Sequence, residues 1–217
     1  MRQRRRKVSD DDVFDATQRA MQRCGPHELT LADIAAEAGV TPGLLVQRFG
    51  GKRELLLALS ERFARSASAV FEALRAAHRK PLATLRAYAA CMADLASTPD
   101  ALARNLAYLQ IDLTDEAFRA NLLTNARATR REVESLLRSA VVAGELQKDV
   151  DALRLARTIE AIIGGSLMSW ACYREGSAAA WIRQHLDAVL EPHLARRRGS
   201  KRPKSGRGAI NRRNTTR

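Results

Sequence analysis

Between positions 41 and 49 the run Thr-Pro-Gly-Leu-Leu-Val-Gln-Arg-Phe sets two side chains able to read base edges next to each other. The Gln47 amide can pair with adenine through a donor and an acceptor, and the Arg48 guanidinium can grip guanine or hold a phosphate. On a helix, Gly43 lies one turn from Gln47 and Leu44 one turn from Arg48, on the side opposite Leu45 and Phe49. That outward side has no acid, as a phosphate-facing surface requires. Leu44 can touch a thymine methyl, and Gly43 lets the backbone come close. Thr30 and Thr41 cap helix starts whose free N–H groups suit phosphates, Pro42 sits at the first helical position, and Lys52 adds a charge at another start.

No other chemistry has a comparable pattern. His27, His78, His185 and His193 make no metal motif, and Cys24, Cys91 and Cys172 are far apart, without a CxxC pair. Nucleophile elbow, P-loop and HExxH sequences are absent. An enzyme is therefore not expected, nor a metal or cofactor, and the cysteines read as buried thiols of a reducing cytoplasm.

The elements that must hold these residues are helices. Apolar residues make up 46% of the 217 residues, helix formers dominate, and no alternating β-branched stretch reads as a strand, so the fold class is all-α. Ser9 with Asp12 starts a first helix, with Val13, Ala16, Ala20 and Cys24 along one face; Gly25-Pro26 ends it. Thr30 with Asp33 forms a second capping box, Gly39 supplies a turn, and Gly50-Gly51 stops the third helix. Periodicity then predicts one long helix over residues 52–78, another over 81–96, a stripe of Leu102, Leu106, Leu109 and Leu113, and a helix ending at Gly144. The segment from Ile159 to Tyr173 is apolar nearly all round, which predicts cover on both sides, with Gly164-Gly165 permitting close helix approach.

The net charge of +13 resides in two tails. Arg2, Arg4, Arg5, Arg6 and Lys7 carry +5, and ten Lys and Arg from Arg196 onward carry +10; without them residues 8–195 have a net charge of −2. The high basicity is thus independent of the helix-turn-helix. The expected organisation is a basic disordered arm (1–8), a helix-turn-helix domain (9–53), a helical ligand-binding and dimerisation domain (54–195) and a basic disordered tail (196–217). The arm has the composition to enter a minor groove. No segment is long and apolar enough to span a membrane, and the basic start lacks the apolar run of a signal peptide.

Residues 13–59 resemble the DNA-binding domain of the TetR family (tetracycline-repressor-type regulators). The match lies in Leu31-Ala32-Asp33-Ile34-Ala35-Ala36-Glu37-Ala38-Gly39-Val40-Thr41-Pro42-Gly43-Leu44-Leu45, then Phe49, Lys52, Glu54 and Leu55. Ala143-Gly144-Glu145-Leu146, Asp149, Asp151, Ala156 and Trp170 resemble the family's entry into its dimerising helices. The resemblance implies a homodimer that binds double-stranded operator DNA through its three N-terminal helices, and a C-terminal domain that takes a small-molecule inducer; its expected place is the cytoplasm, nucleoid-associated through DNA binding. Repression relieved by an apolar ligand is the expected output. Where the family usually has Tyr, this chain has Val46, and where it has His or Tyr, Arg48. Val46 has no hydroxyl for a phosphate, so Gln47 and Arg48 are the expected source of sequence preference.

Tyr88, Met92, Leu106, Leu109, Phe118, Leu122, Ile162 and Trp170 are the candidate lining of a ligand cavity, with no charged anchor evident. A four-helix bundle from the last two helices is the expected dimer contact. The rival reading is a weakly specific DNA-coating protein driven by its tails, for which loss of residues 199–217 would matter and Gln47→Ala would not.

Overall fold

Ser9 opens the first helix as a capping box: its hydroxyl accepts from the Asp12 N–H, and the Asp12 carboxylate accepts from the Ser9 N–H. Each group satisfies a donor that the helix start leaves without a partner. The computed structural model describes residues 8–195, so the two basic tails lie outside the described residues. From that cap run α1 (Asp10–Arg23), α2 (Leu31–Ala38), α3 (Pro42–Phe49), α4 (Lys52–Ala64), α5 (Ala67–Ala77), α6 (Pro81–Ala93), α7 (Pro99–Thr114), α8 (Glu116–Val142), α9 (Ala152–Tyr173) and α10 (Ala178–Leu190). The fold is all-α; among the described residues the sole β feature is an antiparallel bridge between Leu146 and Leu194.

Two apolar cores organise these helices. The first gathers Val13 and Phe14 of α1, Ile34 of α2 and Leu45 of α3 with Leu55 and Leu59 of α4, and it reaches across to Tyr108 of α7 and Phe118 of α8. Phe71, Leu85, Val133, Leu137, Leu155, Ile159, Ile182 and Leu186 belong to the second, which unites α5, α6, α8, α9 and α10. Between α8 and α9, Gly144 takes a left-handed conformation at φ 69°, which a residue with a side chain adopts only under strain. The chain then turns so that the Glu145 carboxylate accepts the Leu82 N–H at the start of α6 (2.9 Å) and Leu146 is buried.

Three expectations need correction. The single helix over residues 52–78 is two, broken at Arg65 and Ser66. An unbroken helix would give the Phe63 carbonyl to the Ala67 N–H. That carbonyl instead accepts from the Ser66 N–H (3.0 Å), the Ser66 hydroxyl (2.8 Å) and the Asn125 amide (2.9 Å). Second, α9 is covered on one side in the chain. Leu155, Ile159, Ile163 and Trp170 are buried, whereas Leu153, Ala161, Gly164, Gly165 and Met168 are exposed. Third, Cys172 is exposed and only Cys24 and Cys91 are partly buried, because Cys172 lies on that uncovered side.

Candidate nucleic-acid interface

α3 buries one residue, Leu45, and tucks Phe49 against Phe14 of α1 with ring centroids 5.7 Å apart. Thr41, Pro42, Gly43, Leu44, Val46, Gln47 and Arg48 are all exposed. Leu44 at 40% and Val46 at 48% are large apolar side chains left in water on a helix with its own buried face. Thr41 fixes the start of this helix, its hydroxyl oxygen accepting from the Leu44 N–H (3.3 Å), and Gly39 in left-handed conformation (φ 66°) sets its angle to α2. Glu37 of α2 is held by Arg19 (2.6 Å) and Arg23 (2.7 Å) of α1, which lowers its carboxyl pKa and braces the pair behind α3.

The polar groups named from sequence divide into free and engaged. Among the described residues Gln47 has no hydrogen-bond partner. Arg48, by contrast, forms an ion pair with Asp10 at the start of α1 and donates to the Val8 carbonyl at 2.8 Å. Its guanidinium also lies 5.6 Å from the centre of the Phe49 ring. Lys52 does not stand free at its helix start: its ammonium donates to the carbonyls of Pro26 (3.1 Å) and Leu29 (2.8 Å), closing the loop between α1 and α2. Thr30 is exposed, but its hydroxyl and N–H are spent on Asp33, whose carboxyl they hold below its ordinary range.

This three-helix head is coupled to the rest of the chain at α7 and α8. The Tyr108 hydroxyl donates to the Cys24 carbonyl at the end of α1 (3.2 Å), and Arg53 of α4 pairs with Asp115 (2.7 Å) beside the Phe118 ring. Arg62 of α4 returns to Asp15 of α1 (2.8 Å), and Asn121 of α8 donates to the Ser60 hydroxyl (2.8 Å). These contacts escape sequence reading because their partners are 44 or more positions apart.

Two family models match the chain: "Bacterial regulatory proteins, tetR family" over residues 13–59, and "Tetracyclin repressor-like, C-terminal domain" over residues 81–186. The first covers the head that presents α3; the second runs from α6 into α10. The chain belongs to the TetR family. It is therefore a DNA-binding transcriptional regulator by family. No curated protein matches significantly. Among solved structures, a TetR transcription regulator from Haloarcula marismortui is similar at a TM-score of 0.67 and 22% identity, over 85% of this chain and 97% of that one. SmeT, repressor of a Stenotrophomonas maltophilia multidrug efflux pump, gives 0.61 and 24% over 87% and 91%. The Bacillus subtilis regulator FadR in complex with stearoyl-CoA gives 0.64 and 17% over 84% and 98%. At these identities the likeness is one of fold.

In the TetR-type C-terminal domain the eight candidate lining residues are not gathered in one place. Tyr88, Met92 and Leu106 pack at the edge of the second core, where Trp170 is buried and donates to the Gly176 carbonyl (3.3 Å). Tyr88 lies against Phe71, with centroids 4.6 Å apart; burial, then the nearby Glu160 charge, push its phenol up to about 12. Phe118 belongs to the first core, on the head's side. Leu109, Leu122 and Ile162 are half-buried. The surface grooves run along the outer side of α8 (Arg131, Glu134, Arg138, Val142), beside Val150 and Leu153, and along α1 near Glu37; none of these is lined by the eight. Sequence reading named no charged group here, yet the Arg104 Nε on α7 is buried without a partner, one turn before Tyr108.

Proposed function

We propose that this TetR-family chain is a homodimeric repressor that places α3 in the major groove of its operator and leaves DNA when a small, mainly apolar ligand opens the C-terminal core. The carrying observation is the outer surface of α3: Gly43, Leu44, Val46 and Gln47 are exposed together on a helix anchored by a single buried leucine. Exposed apolar side chains beside a free amide suit base edges and thymine methyls better than water. Arg48, held by Asp10, fixes α3 against the start of α1 and offers its remaining charge to a phosphate. Thr30, Thr41 and Pro42 present helix starts to the backbone, and Lys52 stiffens the loop behind them.

The second copy covers α9. Its outer stripe of Ala161, Gly164, Gly165 and Met168 would pair with the same stripe across a two-fold axis, making a four-helix bundle with α10. Operator binding then depends on the spacing of two α3 helices, about 34–36 Å for successive major grooves. α7 supplies the link: Leu106 packs on the core that a ligand must open, and Tyr108, on the other side, holds the end of α1. A ligand that prefers a displaced α7 shifts the population away from the DNA-competent spacing. This regulator works in the cytoplasm, on the nucleoid.

The test starts with selection of a binding site from a random duplex library by the full chain, followed by a thermal-shift screen for ligands. A compound that raises the melting temperature should release the selected duplex. Stabilisation with unchanged DNA affinity would sink the ligand-release reading and leave the DNA reading intact.

A further inference from the structure

Arg53, Arg62, Arg75, Arg86 and Arg130 each reach a carboxylate outside their own helix, at 2.6 to 2.9 Å. Arg104 of α7 reaches none. Its Nε is buried with no hydrogen-bond partner, and among the described residues its guanidinium makes no ion pair. Asp100, an acid one turn earlier on the same helix, is exposed and does not pair with it. Arg104 thus holds an unmet donor on a permanently charged group, where buried polar groups as a rule find a partner.

Helical spacing puts Arg104 on one face with Tyr108 and Ile111, at i, i+4 and i+7. Those two pack into the first core, whereas Leu102 and Leu106, half a turn round, pack into the second. Arg104 therefore lies on the side of α7 that meets the first core, one turn from the hydroxyl that holds the Cys24 carbonyl at the end of α1 (3.2 Å). It is the only basic residue of α7, whose acids are Asp100 and Asp112.

Resting on the ligand-release reading above, we propose that Arg104 anchors the head group of the ligand, and that the ligand is a monocarboxylate with an apolar body. The buried atom decides the head group. A carboxylate approaching side-on accepts from Nε and one Nη together, a two-bond fit for a planar pair of oxygens. One guanidinium on a helix with two acids balances one negative charge, which disfavours a phosphate dianion. α7 sits between two apolar cores, so a body that displaces it meets apolar side chains on either side. Burial of Nε also supplies the coupling. An acceptor reaches that atom only where the groups covering it have moved, so the carboxylate binds a shifted α7 better than the one in this structure. Such differential affinity is what a population shift requires, and Tyr108, one turn on, passes the shift to α1.

Thermal midpoints of the full chain test this, with octanoate, phenylacetate and naphthylacetate against their primary amides, and sodium chloride at matched ionic strength. The carboxylates should raise the midpoint and bind about tenfold or more tighter than the amides. Octyl phosphate, a dianion with the same body as octanoate, should bind more weakly than octanoate. Arg104→Gln and Arg104→Met should each lose about tenfold or more in carboxylate affinity and keep that for the amides. Arg104→Lys, charged but without the fork, should fall between and keeps the comparison if a neutral variant fails to fold. The proposal is overturned if no carboxylate raises the native midpoint above chloride, if the rise survives in these variants, or if the amides or octyl phosphate do as well. Release of the selected duplex separates this from the wider reading. Carboxylates that bind through Arg104 and leave the duplex bound sink ligand release and keep the anchor. Neutral compounds that release the duplex equally from the native chain and from Arg104→Met keep ligand release and sink the anchor.

Discussion

Gln47 owes its position to Leu45, since one buried residue on an eight-residue helix sets the rotation of all the others. Its amide has no partner among the described residues, whereas the neighbouring guanidinium is tied to Asp10 and Val8, so the proposed base preference falls chiefly on Gln47. Gln47→Ala should cost about 1–3 kcal/mol on the selected duplex and little on a scrambled one, measured as the ratio of the two dissociation constants. At Asp112 of α7, burial raises the carboxyl pKa from its ordinary 3.8 to about 6. Well below pH 4 the group is neutral whether the chain is folded or not. Between pH 4 and 6 the unfolded chain ionises first, so stability is lost as pH rises, and the deficit is complete above the folded value. Asp112→Asn should therefore raise the thermal midpoint at pH 8 and leave it nearly unchanged at pH 3. The gain is about 1 kcal/mol once the half-exposed position of the group is allowed for.

At the scale of elements, α7 is shared by both cores, as is α8. Leu102 and Leu106 pack into the second, while Tyr108 and Ile111 pack into the first. Removing only the Tyr108 hydroxyl leaves the packing and deletes the bond to the Cys24 carbonyl. Tyr108→Phe should lower stability by about 1 kcal/mol and weaken the loss of DNA affinity that a ligand causes, read by titrating the selected duplex with and without it. At the break between α4 and α5 a contact distant in sequence joins a local one: Ser66 bonds back to the Phe63 carbonyl, and Asn125 arrives from α8 to share it.

For the whole molecule, the uncovered side of α9 is the face offered to a second copy in the proposed dimer. A Cβ built at Gly164 or Gly165 meets nothing within 4 Å in the chain and both positions are exposed, so a larger side chain there is turned toward the proposed partner. Gly165→Leu should thus fold with a helix stabilised by up to about 1 kcal/mol, yet sediment as a monomer where the native chain sediments as a dimer. A variant that remains dimeric would place the interface elsewhere. The native chain's thermal midpoint should rise with protein concentration and that of the variant should not.

The parts legible in sequence are those set by neighbours a few positions away. The capping boxes of Ser9 and Thr30, the left-handed turn at Gly39, the acid-free surface of α3 and the all-helical class all follow from short-range hydrogen bonding and a helical period. The resemblance over residues 13–59 rests on the same segment. Tertiary structure alone decided that Arg48 and Lys52 are already engaged, that α4 and α5 are separate, and that Phe118 serves the head. Each outcome depends on groups 23 or more positions apart, whose pairing no local pattern specifies. Composition likewise counted ten charges beyond Ala195. Only the tertiary structure decided that Ala195, just before them, is held by its N–H on the Glu145 carbonyl beside the Leu146–Leu194 bridge.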